Sequence, residues 1–319
     1  MPSVHAQIDE SSAAPAAAVQ PSLFADYVEL FKLRVTAMIV ITGAAGFCLG
    51  SLRSGISTFN SGLLHALSGI AIVSCGASAL NQVLERHIDA LMHRTRNRPL
   101  AAGRFSLAHG LVMGFATIIF GSLWLALMNP LTGLLTLLTA IGYVAIYTPL
   151  KRITTLNTFI GAFPGAMPPL LGWTAARGMI EWPAVALFAI LFVWQFPHFM
   201  AIGWMHRDDY ARAGIKVLPV TEPDGRSTVV EALVYAIIMI PVSLLPVYLH
   251  VTGWPYGAAA ILLGCGYLWF TIRFAHITTA PPAESLAIAR LLLRASIIYL
   301  PLLLACMMAD ANGRILLLP

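Results

Sequence analysis

The chain has 319 residues, of which 58% are hydrophobic and only 10% are charged, whereas an ordinary soluble domain carries about 25% charged residues. A soluble fold could not hide so much apolar surface from water. The composition therefore excludes a secreted disulfide scaffold, a disordered chain and a nucleic-acid-binding domain. The net charge of +5 does not imply a nucleic-acid partner, because in a membrane protein it is typical of basic loops on one side.

Residues 1–22 are rich in Ala, Ser, Pro and Gln and lack the basic and apolar regions of a signal peptide, so we expect a disordered cytoplasmic tail. The remainder, 23–319, is predicted to be a single all-α, polytopic membrane domain. It holds apolar stretches of about 20 residues, the length that crosses ~30 Å of hydrocarbon as a helix. These nine predicted transmembrane helices are 34–52, 63–85, 107–128, 131–149, 157–176, 182–205, 229–250, 254–275 and 286–308.

Two proline-containing segments modify this plan. Asn129–Pro130 predicts a tight hairpin between the third and fourth helices. The fifth stretch contains Pro164, Pro168 and Pro169, which predict a kink or a break. Such backbone is tolerated in a membrane only where neighbours pack against it or where it lines a cavity.

The positive charges predict the orientation. With a cytoplasmic N-terminus, 16 of the 19 Lys and Arg residues face the cytoplasm, which strongly favours that arrangement. Nine spans then place the C-terminus outside. The two longest connections, 86–106 and 206–228, lie on the cytoplasmic side and are rich in charge, so we expect the chemistry there. The tail shows no organelle transit peptide, which indicates a bacterial cytoplasmic (inner) membrane.

The cysteines give no sign of a metal or redox site. Each lies inside an apolar run, and no two have the spacing of a metal clip. They are predicted to be reduced core residues; they are Cys48, Cys75, Cys265 and Cys306.

Three oxygen-bearing side chains share one face of the second helix. Asn81, Glu85 and Asp89 stand at i, i+4 and i+8, and each step of four residues drifts by only about 40° around a helix. Two acids on one stripe repel, so a cation is expected beside them. Oxygen ligands suit Mg²⁺, which often bridges to substrate phosphates. The alternative is a helix end in the headgroup region, with the acids solvated or paired to Arg86 and Arg94.

A second acidic segment follows the sixth helix. Asp208 and Asp209 are trailed by Arg212 and Lys216, which repeats the pattern after the second helix and hints at an internal duplication. Alone, the two acids could be a loop pair. Together with the first cluster they form a possible two-metal clamp for a diphosphate.

Other polar residues lie on the same predicted side. Lys151 and Arg152 supply positive charge for an anionic head group, although Arg152 could equally be an ordinary positive-inside anchor. His198 lies near the cytoplasmic end of the sixth helix. It could be a hydrogen-bonded bundle residue, a ligand of a haem iron or a group that orients a substrate carboxylate.

Five segments occur in an order that resembles a known family. They are NQVLERHIDALMHRTRNRPL (81–100), YTPLKRITTLN (147–157), GAFPGAMPPLLGW (161–173), WQFPHF (194–199) and DDYARAGIKVLPV (208–220). Together they resemble the protohaem IX farnesyltransferases, or haem O synthases, within the UbiA superfamily of intramembrane prenyltransferases. The resemblance covers residues 23–308.

The resemblance implies a nine-helix bundle with a central cavity open near the cytoplasmic face. It implies Mg²⁺-dependent transfer of farnesyl from farnesyl diphosphate to a vinyl group of haem B, giving haem O for terminal oxidases. Membrane lipid and the next haem-modifying enzyme are the partners it suggests. Asn81, Glu85 and Asp89 match the family's first diphosphate motif. The second motif departs from the Asp-x-x-x-Asp pair of quinone-type members, whose positions fall on His206 and Tyr210.

The same hypothesis gives roles to further residues. One or two Mg²⁺ ions would bind Asn81, Glu85, Asp89 and the Asp208–Asp209 segment. Candidates for the outer diphosphate oxygens are Arg94, Arg98, Lys151, Arg152, Arg212 and Lys216. Aromatic faces can stabilise the prenyl cation, or the rings can simply pack; the candidates are Tyr147, Trp173, Trp194 and Trp204, with His198 as a haem contact. The rival functions are prenylation of a quinone precursor or chlorophyll-like ring, a secondary transporter, and a structural assembly subunit.

Overall fold

The structure is a computed structural model that describes residues 21–315, and every regular element in that range is helical. The predicted all-α fold is therefore confirmed. The predicted disordered tail lies outside the described residues, apart from its last two. In chain order the helices are α1 (Leu23–Leu30), α2 (Leu33–Arg53), α3 (Ser61–Asp89), α4 (Leu107–Met128), α5 (Pro130–Ile141), α6 (Thr148–Leu150), α7 (Asn157–Arg177), α8 (Trp182–Met205), α9 (Arg207–Arg212), α10 (Leu218–Thr221), α11 (Arg226–Ser243), α12 (Leu245–Tyr248), α13 (Trp254–Phe274) and α14 (Pro282–Ile315).

The long helices make this a multi-pass membrane protein. Within residues 21–315, eight helical segments are long and apolar enough to cross a membrane, and each of the nine predicted stretches overlaps a helix. Among the helices that match the nine predicted spans, α7 is outside that set of eight. It has the required length of 21 residues but is rich in proline and glycine. The count of nine spans stays a prediction.

Helix ends follow the local sequence. Asn129 caps α5 by accepting a hydrogen bond from the Thr132 amide at 3.0 Å, and Pro130 occupies the first turn. This confirms the predicted hairpin. α3 continues to Asp89, four residues past the predicted end at 85, so the acidic residues belong to the helix itself. The short helix α1 was not predicted. Ser22 caps it by accepting a hydrogen bond from the Ala25 amide.

The prolines of α7 do not break it. The chain is helical from Asn157 to Arg177, so the break is excluded, whereas the kink that the prolines also predict stays a prediction. Small residues let α7 pack against α2 at backbone distance. A Cβ on Gly46 would lie 1.9 Å from the Pro169 carbonyl oxygen, and one on Gly172 would lie 1.9 Å from the Gly43 carbonyl oxygen. Both positions must therefore be glycine for the helices to meet in this way.

The largest core joins the second half of the bundle. Buried side chains of α8, α11, α13 and α14 pack together, among them Ile190, Met239, Tyr256 and Leu303. In the first half, α3 packs on α4 through glycines, and a Cβ on Gly114 would lie 2.4 Å from a Leu80 methyl group. This packing fixes α3 beside its neighbours and so positions its polar end.

The cysteine prediction is only partly correct. All four thiols are unpaired, and Cys48 is buried as expected. Cys75 and Cys306 are half-buried, whereas Cys265 is exposed on α13. Its prediction as a core residue is wrong, because an apolar run in a membrane helix has a lipid-facing side as well as a packed side.

Candidate functional site

Asn81, Glu85 and Asp89, here called the oxygen stripe, occupy the last nine residues of α3. All three are buried, with 0%, 6% and 1% of their surface exposed. They lie on one face of a continuous helix, as their spacing predicts. Polar groups this deeply buried need partners, and each of the three has a cation within hydrogen-bond distance.

The three cations come from three different parts of the chain and are here called the cation ladder. Lys32, in the turn between α1 and α2, donates to Asn81 Oδ1 at 2.5 Å. Lys151, directly after α6, donates to Glu85 Oε1 at 2.7 Å. Arg98, in the connection after α3, donates to both oxygens of Asp89 at 2.9 Å. Each oxygen-bearing side chain of the stripe is therefore paired with one cation of the ladder.

Burial and mutual repulsion act on the ladder itself. Burial, together with the neighbouring Arg98 and Lys151, lowers the pKa of Lys32 from 10.5 to about 7, against the opposing effect of Glu85 and Asp89. Burial alone would lower the pKa of Lys151, but Tyr147 and Glu85 together raise it. Lys151 therefore stays charged at neutral pH, while Lys32 is the cation most easily neutralised.

A π-helical turn, Gly142–Tyr147, supports the stripe from the side. Thr148, which follows this turn, accepts a hydrogen bond from Asn81 Nδ2 at 3.0 Å and donates to the Tyr143 carbonyl. The Lys151 ammonium lies 4.7 Å from the centre of the Tyr147 ring. π-Helical turns often occur at functional sites because they reorient side chains within a helix, and here the turn directs an aromatic ring towards a cation.

The second acidic segment approaches the connection that follows α3. Asp209 accepts a hydrogen bond from the His93 amide at 3.4 Å and is paired with Arg212. Asp208 projects into solvent, with 89% of its side chain exposed. The second segment is also tied to the end of α6 by a hydrogen bond of 2.7 Å from the Lys216 amide to the Lys151 carbonyl. The structure thus brings Asp209, but not the Asp208 side chain, towards the first segment.

A cavity of about 80 Å³ lies beside the second segment, and Tyr147, Asn157, Phe199 and Tyr210 are among its lining residues. A larger hollow of about 490 Å³ lies along α10 and α11. No residue of the oxygen stripe or cation ladder lines either cavity, but Tyr147, which lies beside the Lys151 ammonium, lines the smaller one and links it to the candidate site. Its aromatic lining would suit an apolar or cationic group.

The other predicted phosphate-binding cations lie at the surface. Arg98 and Lys151 belong to the ladder, but the remaining four have exposed side chains; they are Arg94, Arg152, Arg212 and Lys216. The alternative pairing of the acids with Arg86 and Arg94 is also not what the structure shows. Arg86 donates to the Val83 carbonyl instead, and the acids pair with Lys151 and Arg98.

The aromatic residues and the histidine predicted to line the substrate cavity lie in different parts of the bundle. Trp173 is fully buried and donates to Glu181 at 2.9 Å, near the end of α7 opposite Asn157. Trp194 stacks on His198 with ring centres 4.7 Å apart, and both contact Ser296 of α14.

Trp204 is buried and donates to Ser285, also on α14, while Arg207 lies over its ring. Of the predicted aromatic residues, Tyr147 is the one placed beside the cation ladder.

Three residues of the site were not identified from the sequence. Lys32 was counted only as a positive charge on the cytoplasmic side, and Thr148 and Gln82 were quoted within motifs without a role. A lysine immediately before the first span is the only local signal that could have pointed to Lys32. Its contact with Asn81 joins residues 49 positions apart, so it depends on the tertiary fold.

The donor set fits a hard divalent cation. The stripe offers one amide and two carboxylate groups, which are oxygen ligands of the kind that Mg²⁺ prefers. Within the part of the chain that the structure describes, no three His, Cys, Asp or Glu side chains are grouped to enclose a metal. Mg²⁺ does not need such a cage, because it keeps several waters and is usually bound through one or two carboxylates and substrate phosphates.

Comparisons with known proteins identify the family of the chain. Residues 38–297 match the UbiA prenyltransferase family. A protoheme IX farnesyltransferase of Koribacter versatilis is 51% identical over 91% of this chain and 94% of its own length. One of Solibacter usitatus is 43% identical over 90% of this chain and 99% of its own.

Solved structures share the fold. A digeranylgeranylglyceryl phosphate synthase structure has a TM-score of 0.73 at 16% identity, covering 91% of this chain and 99% of that one. A UbiA homologue from Archaeoglobus fulgidus, bound to GPP and Mg²⁺, has a TM-score of 0.63 at 16% identity, covering 90% and 99%. Together with the motifs and the buried polar site, these matches show that the chain belongs to the UbiA prenyltransferase family.

Proposed function

We propose that this enzyme transfers the farnesyl group of farnesyl diphosphate to a vinyl group of haem B, forming haem O. The observation that carries the proposal is the cation ladder on the buried oxygen stripe, which is suited to a diphosphate and its metal. The substrate pair comes from the relatives, since proteins up to 51% identical over most of the chain are named protoheme IX farnesyltransferase.

The stripe and the ladder have complementary roles in this proposal. Asn81, Glu85 and Asp89 would hold Mg²⁺, with Asp208 or Asp209 as a further ligand from the second segment. When bound, Mg²⁺ supplies positive charge that neutralises the diphosphate. The ladder cations contact the outer diphosphate oxygens. Arg94, Arg152, Arg212 and Lys216 are exposed nearby and would attract the anion to the entrance.

The chemistry follows from where charge develops. As the allylic C–O bond breaks, its electron pair stays with the diphosphate, and Lys151 and Arg98 stabilise that growing negative charge more than they stabilise the ground state. The farnesyl carbon then forms a C–C bond with the terminal vinyl carbon of haem. The resulting cation next to the porphyrin gains a hydroxyl group from water, with loss of a proton, which gives the hydroxyethylfarnesyl substituent.

Aromatic side chains would protect the farnesyl cation from water. Tyr147 lies beside Lys151 and lines the small cavity, so its ring is the best placed to stabilise a cation. The stacked pair of Trp194 and His198 lies on α8 and contacts α14. We assign that pair to the haem side of the reaction, and Trp173 to packing.

The position of the acids favours an enzyme over a transporter. Transporter sites usually lie near the bilayer midplane. Here the oxygen stripe occupies the end of the 29-residue helix α3, next to the connections that carry Arg98 and Asp209. A site at one end of the bundle can receive a water-soluble diphosphate while its prenyl tail remains in the apolar interior.

The membrane arrangement belongs to the same proposal. The protein would lie in a bacterial cytoplasmic membrane with its N-terminus in the cytoplasm and its C-terminus outside. The diphosphate would then enter from the cytoplasm, and the farnesylated haem would leave through the membrane towards the next haem-modifying enzyme.

The direct test uses the purified protein in lipid nanodiscs with Mg²⁺ and farnesyl diphosphate. One reaction contains haem B and a parallel one contains 4-hydroxybenzoate, and the products are identified by mass spectrometry. Haem O in the first reaction and no prenylated product in the second are expected. Prenylation of 4-hydroxybenzoate without haem O would favour the quinone-type alternative. Diphosphate release that requires Mg²⁺ would rule out a transporter.

A further inference from the structure

Gln82 joins the oxygen stripe to the end of the short helix α1. It follows Asn81 on α3 and is fully buried. Its side-chain amide donates to the Glu29 carbonyl at 2.7 Å and to the Leu30 carbonyl at 3.1 Å. These are the last two residues of α1, where a helix leaves carbonyl groups without intrahelical partners. A single α3 side chain thus caps α1 and fixes its distance from the stripe.

The chain turns sharply just beyond this cap. Lys32 has φ of +46°, one of two non-glycine residues in the described chain with positive φ. This left-handed conformation is unfavourable for a residue with a long side chain and persists only where its surroundings impose it. The turn begins α2, whose Thr36 hydroxyl donates back to the Phe31 carbonyl at 3.1 Å. The outcome is that the Lys32 ammonium contacts Asn81.

The body of α1 is anchored to the connection that follows α3. Asp26 is buried and accepts hydrogen bonds from two nitrogens of Arg104, the shortest at 2.7 Å. Glu29 lies 3.5 Å from Arg98 Nε, and Arg98 also holds Asp89. Asp26 and Glu29 thus hold α1 to this connection, and a movement of the α1 C-terminus would shift Lys32 relative to the stripe.

We propose that Gln82 is a positioning residue that acts through Lys32. By capping α1 it imposes the left-handed turn, and the turn places the Lys32 ammonium where the diphosphate of the substrate would lie. This inference rests on the proposed function for the identity of the diphosphate. It adds that binding depends on a glutamine that does not itself contact the substrate.

A double-mutant cycle separates a positioning role from a structural one. Gln82→Met removes both donors while keeping the side-chain length, and Lys32→Met removes the ammonium. Each single variant should raise the KM for farnesyl diphosphate by on the order of tenfold, the effect of losing about one charge-assisted hydrogen bond, and leave the KM for haem unchanged. The double variant should have the same KM as Lys32→Met, because Gln82 would have nothing left to position.

A second measurement does not depend on activity. Hydrogen–deuterium exchange of the substrate-free protein should be faster at the amides of residues 29–33 in Gln82→Met than in the unmodified chain. The matched control is Gln195→Met, which also removes two bonds from a buried glutamine to backbone carbonyls, here those of Ala162 and Leu191. The control should leave both the exchange at 29–33 and the KM for farnesyl diphosphate unchanged.

The outcomes distinguish this inference from the proposed function. If Gln82→Met raises the KM equally with and without Lys32, or if exchange at 29–33 does not change, Gln82 does not act through Lys32 and the inference is overturned. If the unmodified protein makes no haem O, the proposed function fails. Altered exchange in Gln82→Met would still support the cap on α1, and binding of farnesyl diphosphate would then replace KM as the readout.

Discussion

The Glu85–Lys151 pair is predicted to affect both the stability and the activity of the protein. Single replacements cannot separate the two effects, because each one leaves a buried charge unpaired. The side chains are 8% and 16% exposed, and their charged atoms are 2.7 Å apart. Removing one partner of a buried pair leaves an uncompensated charge, which costs about 3–5 kcal/mol. Lys151→Met should therefore destabilise the protein by about that amount. Glu85→Gln should cost less, because the ammonium keeps its contact with the Tyr147 ring.

The double variant Glu85→Gln, Lys151→Met removes both charges, so neither is left unpaired. We expect it to be more stable than Lys151→Met alone, with a coupling free energy of about 2–4 kcal/mol. Its activity should nevertheless stay as low as that of either single variant, because it lacks both a proposed metal ligand and a proposed diphosphate cation. The assays are thermal unfolding in detergent and haem O formation in nanodiscs. Additive destabilisation would show that the pair is not coupled, and near-normal turnover in the double variant would refute the roles of both residues.

Three further predictions concern other parts of the site and its scaffold. Asp89→Asn should abolish haem O formation and lower stability by about 3 kcal/mol, because Arg98 loses its buried anionic partner; quantitative haem analysis and thermal unfolding measure the two effects. Gly172→Ala should prevent accumulation of folded protein, because its Cβ would meet the Gly43 carbonyl oxygen; size-exclusion chromatography in detergent checks this. Asp208→Asn should lower kcat/KM less than the corresponding change at the neighbouring acid, because the Asp208 side chain is almost fully exposed.

Matched variants control these experiments. Gly142→Ala places a Cβ in open space, so it should fold normally and isolate the steric cause of the Gly172→Ala defect. Asp209→Asn is the comparison for the second acidic segment, since Asp209 contacts the His93 amide. If the exposed acid proved the more important of the two, the second metal ligand would come from a conformation different from the described one. Retained haem O synthesis in Asp89→Asn would contradict the metal role of the stripe.

The sequence predicted the parts of the site that depend on local periodicity. Asn81, Glu85 and Asp89 could be placed on one helix face because the spacing of four residues determines direction within a helix. Their burial and their cationic partners could not be predicted in the same way. Lys151 contacts Glu85 across 66 residues of sequence, and only the packing of α6 against α3 brings them together.

The fold was predictable for a similar reason, and the errors in its prediction concern single helices. Long apolar runs identify membrane helices because the bilayer demands that length. The eight-residue helix α1 is too short to produce such a signal. Proline content indicated a kink or a break in α7. The break does not occur, because neighbouring helices can satisfy the backbone groups that proline leaves without a helical partner. The Gly46 and Gly172 contacts that allow this packing are visible only in three dimensions.

The cations and the oxygens of the site come from different kinds of structure, and the membrane explains why. The oxygen stripe lies within the span α3, whereas Lys32 lies just before the first span and Arg98 and Lys151 lie in connections between spans. A lysine or arginine inside a span is costly to insert and must find a partner at depth, but one in a connection can meet its partner from the aqueous side as the bundle closes. Each cation then arrives on a different segment, so the array is complete only when α1, α3 and α6 are all in place. Under the proposed function, a site assembled in this way would tie diphosphate binding to the correct packing of the first half of the bundle, and the positioning role proposed for Gln82 depends on that link.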